Sequence, residues 1–279
     1  MPITSSNHLK TDRTGNGARK KGSVDGKEST LFVNSVEKAI RILEAFDGSQ
    51  AQLSLSQIAL KTQLDLSSVQ RAVHTLGTLR YLVKDPVTRK FELAPKLLDF
   101  SYRYLASNEL ARRALPYIQQ LAQEAEETTN LTVLDDTDIV YVIRIASRYM
   151  LAPNIVVGTR IPAFCAAPGL AMLAYLPLEQ AEDILNRTDF VAYTSHHYHD
   201  RASAFERLRK IRELGYVRAD GEFYKGDVST AAAILDILGR PIGAVNISIP
   251  KSRWDPARDE KRIMDLVITA AAAISGHPR

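Results

Sequence analysis

The sequence predicts an α+β protein in which a linker helix joins an N-terminal winged helix-turn-helix to a C-terminal antiparallel sheet covered by helices. Three observations predict it. Between residues 34 and 93, three segments of helical period precede a strand–turn–strand pattern. From about residue 108, helical segments alternate with antiparallel hairpins, the pattern of an α+β sheet domain. The charge is also uneven: the first hundred residues carry fifteen Lys and Arg against ten Asp and Glu, whereas the whole chain is +4, so the positive excess is N-terminal. An anionic partner for that end follows, nucleic acid or a membrane surface.

Residues 1–30 are rich in Gly, Ser, Thr, Asn and Lys and lack apolar periodicity, so a disordered basic tail is expected. The domain at 31–94 opens with NSVEKAIRILEAFDG, which places Val36, Ala39, Ile40, Leu43 and Phe46 on one helical face, with Asn34 or Ser35 as cap and Gly48 as stop. SLSQIALKTQ forms a second helix capped by Ser54, with Ile58 and Ala59 inward. After the tight connection 63–66 comes SSVQRAVHTLGTLR, capped by Ser67 or Ser68. Tyr81–Val83 and Phe91–Leu93 form the hairpin, turned at Asp85-Pro86.

A linker helix spans 95–108, with Ser107 or Asn108 capping the helix that follows. The remainder, 109–279, reads as a helix over 109–127, a hairpin turned at Asp136–Asp138, a strand near LAPNIVV and the helix AAPGLAMLAYL. Two further helices end at Gly215, and the strands STAAAILD and PIGAVNISIP precede a closing helix with Asp255 as cap and Pro256 at its first position.

The third helix raises the functional question. Leu66, Val69, Val73 and Leu76 form its core face, and Ser67, Ser68, Gln70, Arg71 and His74 its polar face. Gln and Arg pair bidentately with adenine and guanine edges, and serines at a helix start suit phosphate oxygens. Arg89 and Lys90 at the hairpin tip reach a neighbouring backbone. Although any solvated helix face carries Gln, Arg and Ser, the order of the helices, the basic tail and the basic hairpin tip make this read as a recognition helix for double-stranded operator DNA. A single winged helix reads few base pairs, so a two-fold dimer is expected, with the linker helix around Leu97–Leu105 in its interface.

Other chemistry is poorly supported. The run His196-His197-Tyr198-His199 lacks companion ligands at metal spacing, so no metal is expected. Cys165 has no His or Asn partner by motif and reads as a packing residue; as the single cysteine it fits a reducing cytoplasm. There is no Gly-x-Ser-x-Gly, GxGxxG or Walker loop, so neither catalysis nor a cofactor is expected. No apolar run reaches the roughly 18–20 residues of a membrane helix, and the polar N-terminus has no secretory h-region. The competing reading is a small-molecule-binding or enzymatic α+β domain whose winged helix serves only assembly.

SVEKAIRILEAF, LSLSQIALKTQL, SSVQRAVHTL and YLVKDPVTRKFEL occur in the order and spacing of the DNA-binding module of the IclR family of bacterial transcriptional regulators. GTRIPAFCAAPGLAMLA and GYVRADGEFYKGDVSTAAAILDILGRPIGAVNISIP resemble that family's effector domain, and the resemblance covers about residues 33–277. It implies a GAF/profilin-like effector-binding domain and dimers, often paired into tetramers. Departures are Gln63 where the turn has Gly, Leu66 where Lys precedes the recognition helix, Phe164 for His and Leu170 for Lys. The effector contacts of relatives that bind small 2-oxo acids fall at Ala167, Pro168, Ala219, Ser229, Asn246 and Ser248. Ala219 and Ser229 replace an acid and a thiol there, which argues against a glyoxylate- or pyruvate-like ligand. GTRIPAFC instead resembles the branch that senses aromatic-pathway acids such as protocatechuate or β-ketoadipate.

A small organic acid effector is therefore expected between the 158–170 segment and the late strands. Asn246 and Ser248 share a strand face, the helix after Pro168 offers free N–H groups, Met150 and Phe164 supply apolar walls, and Arg144, Arg148 and Arg160 are candidate carboxylate partners.

Overall fold

The computed structural model describes residues 31–149, 155–195 and 201–276. The basic tail, Met150, the start of the LAPNIVV stretch and the histidine run lie outside the described residues. The chain divides between Ala94 and Pro95 into two compact units.

The first unit contains α1 (Asn34–Glu44), α2 (Leu55–Thr62), α3 (Leu66–Thr78) and an antiparallel ribbon of β1 (Leu82–Lys84) and β2 (Phe91–Leu93). Its core is Ile42, Leu53, Ile58, Val69, Val73, Leu76, Leu82 and Phe91. In α1 the inward stripe is Ala39, Ile42, Leu43 and Phe46, whereas Val36 and Ile40 are 58% and 49% exposed. Ile42, fully buried, lies outside the stripe that periodicity predicts. Neither Asn34 nor Ser35 caps α1, which starts after Val33 without a side-chain cap. Ser54 and Gln57 form a reciprocal capping box on α2. The turn into α3 keeps a left-handed residue, and Gln63 adopts it at φ 55°. A side chain there costs about 1–2 kcal/mol of steric strain. Asp65, not a serine, caps α3, accepting from Ser68 N at 2.8 Å and Ser67 Oγ at 2.7 Å. The helix thus starts at Leu66, which is 53% exposed and not part of the core.

The second unit opens with a short 3-10 turn (Pro95–Leu97), α4 (Leu98–Ser107) and α5 (Glu109–Ala125), with Asn108 capping α5. The strands are β3 (Thr128–Asp135), β4 (Asp138–Ile145), β5 (Arg160–Pro162), β6 (Val217–Asp220), β7 (Asp227–Leu235) and β8 (Pro241–Pro250). They form one six-stranded sheet in the order β5-β4-β3-β8-β7-β6, with antiparallel pairing throughout. β6 is an element that sequence reading missed, and Ile155–Val157 is not a strand.

The helices α6 (Ala167–Leu173), α7 (Leu178–Arg187), α8 (Arg201–Leu214) and α9 (Pro256–Ser275) complete the unit. α9 begins at Pro256 under an Asp255 cap, and Gly215 follows α8 at φ 79°. The two faces of the sheet carry separate apolar layers. Leu131, Val142, Ala232, Val245 and Ile247 pack with α5 and α9, and Tyr141, Ala231 and Ala244 with α6 and α8. Two strand-period stripes therefore bury both sides. Among the described residues no helix is long and apolar enough to cross a membrane.

Candidate functional site

On α3, Ser67, Gln70, Arg71 and His74 are exposed and line one groove, together with Thr78 and with Lys84 from β1. Their spacing is that of neighbours on one helical face. Ser68 does not join them. It is buried on the side facing α1 and accepts from Lys38 Nζ at 3.2 Å. This follows from the Asp65 cap, which turns Ser68 toward the core beside Val69. At the ribbon tip Asp85 accepts from the backbone of Val87 and Thr88, and Arg89 takes the left-handed conformation at φ 60°. Arg89 is exposed and Lys90 half-buried.

The second site is a cavity of about 50 Å³ between the sheet and α6. A water-sized occupant needs about 10–15 Å³ by the same measure, so the space takes a small molecule. Ala167, Pro168, Ala219, Ser229 and Ser248 line it. Ile155, Ile161 and Phe223 supply apolar wall, and Tyr141, Arg144, Tyr224 and Asp227 the polar atoms. Phe164 is not part of the lining; it is buried behind, its ring 4.9 Å from that of Phe190. Asn246 also stands behind the surface, 1% exposed. α6 begins at Ala167, so Pro168 sits inside its first turn rather than before it. Only glycine fits at 169, where a Cβ would lie 2.3 Å from the Ala163 carbonyl oxygen.

The cavity floor is built from polar residues in register. Asn130 on β3 lies opposite both Arg144 on β4 and Asn246 on β8. In the next row Thr128, Ser248, Ser229 and Ala219 face one another across β3, β8, β7 and β6. Arg144 Nη1 donates to Asn130 Oδ1 at 3.0 Å, Asn130 Nδ2 to Asn246 Oδ1 at 3.3 Å, and Asn246 Nδ2 to Ser229 Oγ at 3.0 Å. This chain orients the guanidinium at one end and a hydroxyl at the other. Burial lowers the Arg144 pKa from its ordinary value, but an arginine remains charged near neutrality. Burial, and then the neighbouring Asp227, raises the Tyr141 hydroxyl.

Comparison with known proteins adds the decisive observation. The family profile described as "Bacterial transcriptional regulator IclR C-terminal" matches residues 102–276. The chain belongs to the IclR family. A second profile, "IclR helix-turn-helix domain", matches residues 35–86. The Pca regulon regulatory protein of Pseudomonas putida is 30% identical over 241 residues, 86% of this chain and 82% of that one. KdgR of Escherichia coli K12 is 28% identical over 243 residues, 87% and 92% of the two chains. The crystal structure of an IclR transcriptional regulator from Alicyclobacillus acidocaldarius superposes with a TM-score of 0.77 at 24% identity, over 88% of this chain and 98% of that one. This IclR-family protein is thus a ligand-responsive DNA-binding transcriptional regulator, with an N-terminal helix-turn-helix and a C-terminal effector domain.

Of the regulator's three candidate arginines, Arg144 is the one at the cavity. Arg160 is held by Asp135 Oδ2 at 2.6 Å and Asp138 Oδ2 at 3.2 Å, and Arg148 stacks on Tyr149. Cys165 lines the cavity, where burial pushes its thiol up to about 12. Tyr141, Tyr224, Glu222, Asp227 and the Thr128–Asn130 pair were missed by sequence reading. A signal for some of them exists: Thr128 and Asn130, Asp227 and Ser229, and Asn246 and Ser248 are i, i+2 polar pairs inside apolar strands. Such pairs mark a polar patch on one sheet face.

Proposed function

We propose that this IclR-family regulator reads double-stranded operator DNA through Ser67, Gln70, Arg71 and His74, with Arg89 contacting the flanking backbone. We further propose that its affinity for DNA changes when a small organic acid enters the cavity with its carboxylate at Arg144. One observation carries the effector half: a guanidinium, oriented by two buried asparagines, sits in a mostly apolar cavity beside the Ser229 and Ser248 hydroxyls. In low dielectric such a cation binds a carboxylate far more strongly than it would in water. A structural neighbour solved as a complex with 4-hydroxybenzoate, an IclR homolog from Microbacterium hydrocarbonoxydans, superposes with a TM-score of 0.72 at 21% identity over 86% of this chain and 97% of that one. It supports looking first at aromatic acids.

The working assembly is a homodimer, or a tetramer made of two dimers, acting in the cytoplasm without catalysis. The exposed sides of α4 support pairing, since Leu98 and Tyr102 on one side are 68% and 73% exposed, and Phe100 and Tyr104 on the other 52% and 51%. Large apolar side chains gathered on one short helix mark an association surface. Calorimetry of the full-length protein with aromatic and short-chain carboxylates tests the effector reading, and mobility shifts on the upstream region of its own gene test the DNA half. Arg144→Gln should abolish binding of the carboxylate that shifts DNA affinity. A carboxylate that binds this variant with wild-type affinity and still shifts DNA binding uses another site.

A further inference from the structure

Asp227 opens β7 on the cavity surface and stands apart from the other lining acid. Glu222 is committed to Arg207, which gives it two bonds of 2.6 Å. The Asp227 carboxyl receives one side-chain hydrogen bond among the described residues, from Ser248 Oγ at 3.1 Å. The charged and titratable groups around it are Arg144 and Tyr141 on β4, Asp220 on β6, and Glu222 and Tyr224 in the 221–226 connection. Asp220 is itself paired with Lys251 at 2.8 Å. Resting on the cavity reading above, we propose that Asp227 is its specificity-determining residue, hydrogen-bonding a hydroxyl of the effector whose carboxylate lies at Arg144, so that the cavity selects a hydroxy-monocarboxylic acid.

The argument is one of complementary groups. A hydroxyl is both donor and acceptor, so it bonds a carboxyl in either protonation state. Burial pushes Asp227 up to about 7, so near neutrality both states are populated. A diacid brings a second carboxylate against the ionised form, a like-charge contact in low dielectric. An acid lacking the hydroxyl desolvates Asp227 and leaves its carboxyl with only the Ser248 hydrogen bond. Sites built to bond a hydroxyl reject such analogues strongly.

The test is calorimetry on the full-length protein with matched probes: benzoate with its three monohydroxy isomers and terephthalate, and butyrate with 3-hydroxybutyrate and succinate. The wild type should bind at least one hydroxy acid about tenfold or more tightly than its deoxy partner, and the matching diacid more weakly still. Asp227→Ala should bring the hydroxy and deoxy acids to within about twofold, in part by raising the deoxy acid's affinity, since the carboxyl it would otherwise desolvate is gone. Asp227→Asn, close to isosteric, keeps the measurement possible should the alanine variant not fold; it should admit the diacid. A hydroxyl preference that persists in both variants, or a wild-type preference for the diacid, overturns the assignment. If Arg144→Gln binds as the wild type does while Asp227→Ala erases the preference, the anchor reading fails and Asp227 stands. Binding of no probe to the wild type overturns both.

Discussion

Replacing Asn246 with alanine tests the polar floor of the cavity most directly. Asn246 is 1% exposed and Asn130 0%. The amide of Asn246 accepts from Asn130 Nδ2 at 3.3 Å and donates to Ser229 Oγ at 3.0 Å. Truncation leaves the Asn130 amide with an unmatched donor where no water reaches, a cost of about 1–3 kcal/mol. Ser229 loses a donor too, but it faces the cavity, where water replaces the bond, so about 0.5–1 kcal/mol is added. The expected destabilisation is therefore about 1.5–4 kcal/mol. For a domain of this size each kcal/mol lowers Tm by about 2–4 °C, so the effector-domain transition should fall by about 3–16 °C. Ser229→Ala, which leaves only the Asn246 donor short, should fall by a few degrees at most. The assay is scanning calorimetry of the full-length protein, followed through the second unit's transition. A Tm within about 1 °C of the wild type would refute the reasoning, because the two amides would then contribute nothing to stability.

Four further outcomes are expected. Arg71→Ala and Gln70→Ala should each weaken operator binding by about 1–3 kcal/mol with unchanged Tm, as both are exposed; quantitative mobility shifts against operator and random DNA check this, and equal losses on both would remove the base-reading role. Gln63→Gly relieves the left-handed strain at φ 55° and should stabilise the first unit by about 0.5–1 kcal/mol, net of glycine's entropy, read as a higher denaturant midpoint. Asp227 has a folded pKa raised from 3.8 to about 7, so the neutral form is held at low pH and ionises as pH rises through about 7. Affinity for an anionic effector should thus fall between pH 6 and 8, with proton uptake on binding near pH 7, and Asp227→Asn should flatten that dependence; calorimetry in buffers of different ionisation enthalpy reads both. Phe100→Glu with Tyr102→Glu on α4 should shift sedimentation toward the monomer and cost operator affinity, whereas a monomeric variant with full affinity would remove α4 from the interface.

Much of the fold was legible. The Ser54 cap, the Asp255–Pro256 start of α9 and the Asp136–Asp138 hairpin are local signals read within a few residues. Where they competed, sequence was ambiguous: Asp65, Ser67 and Ser68 are all capping residues, and the choice of Asp65 rotates Ser68 inward and Leu66 outward. β6 escaped notice because Val217–Asp220 is short and borrows its pairing from β7, 14 positions on at Val217 and Ala231.

By itself the sequence determined element types, their order and the polar face of α3, because caps, turns and periodicities act over a few residues. It also carried the family, since several motifs recur in order along the chain. Tertiary structure alone decided which polar side chains meet. Asn130 and Asn246 are 116 positions apart, yet they hydrogen-bond because β3 and β8 pair in register. Pairing of β4 with β3 put Arg144 at the cavity, and pairing of β5 with β4 left Arg160 to Asp135 and Asp138. Pairing of β7 with β8 placed Asp227 beside Ser248. Side-chain chemistry is written residue by residue, but a site is a juxtaposition across strands, and the sheet order that creates it is a property of the packed whole.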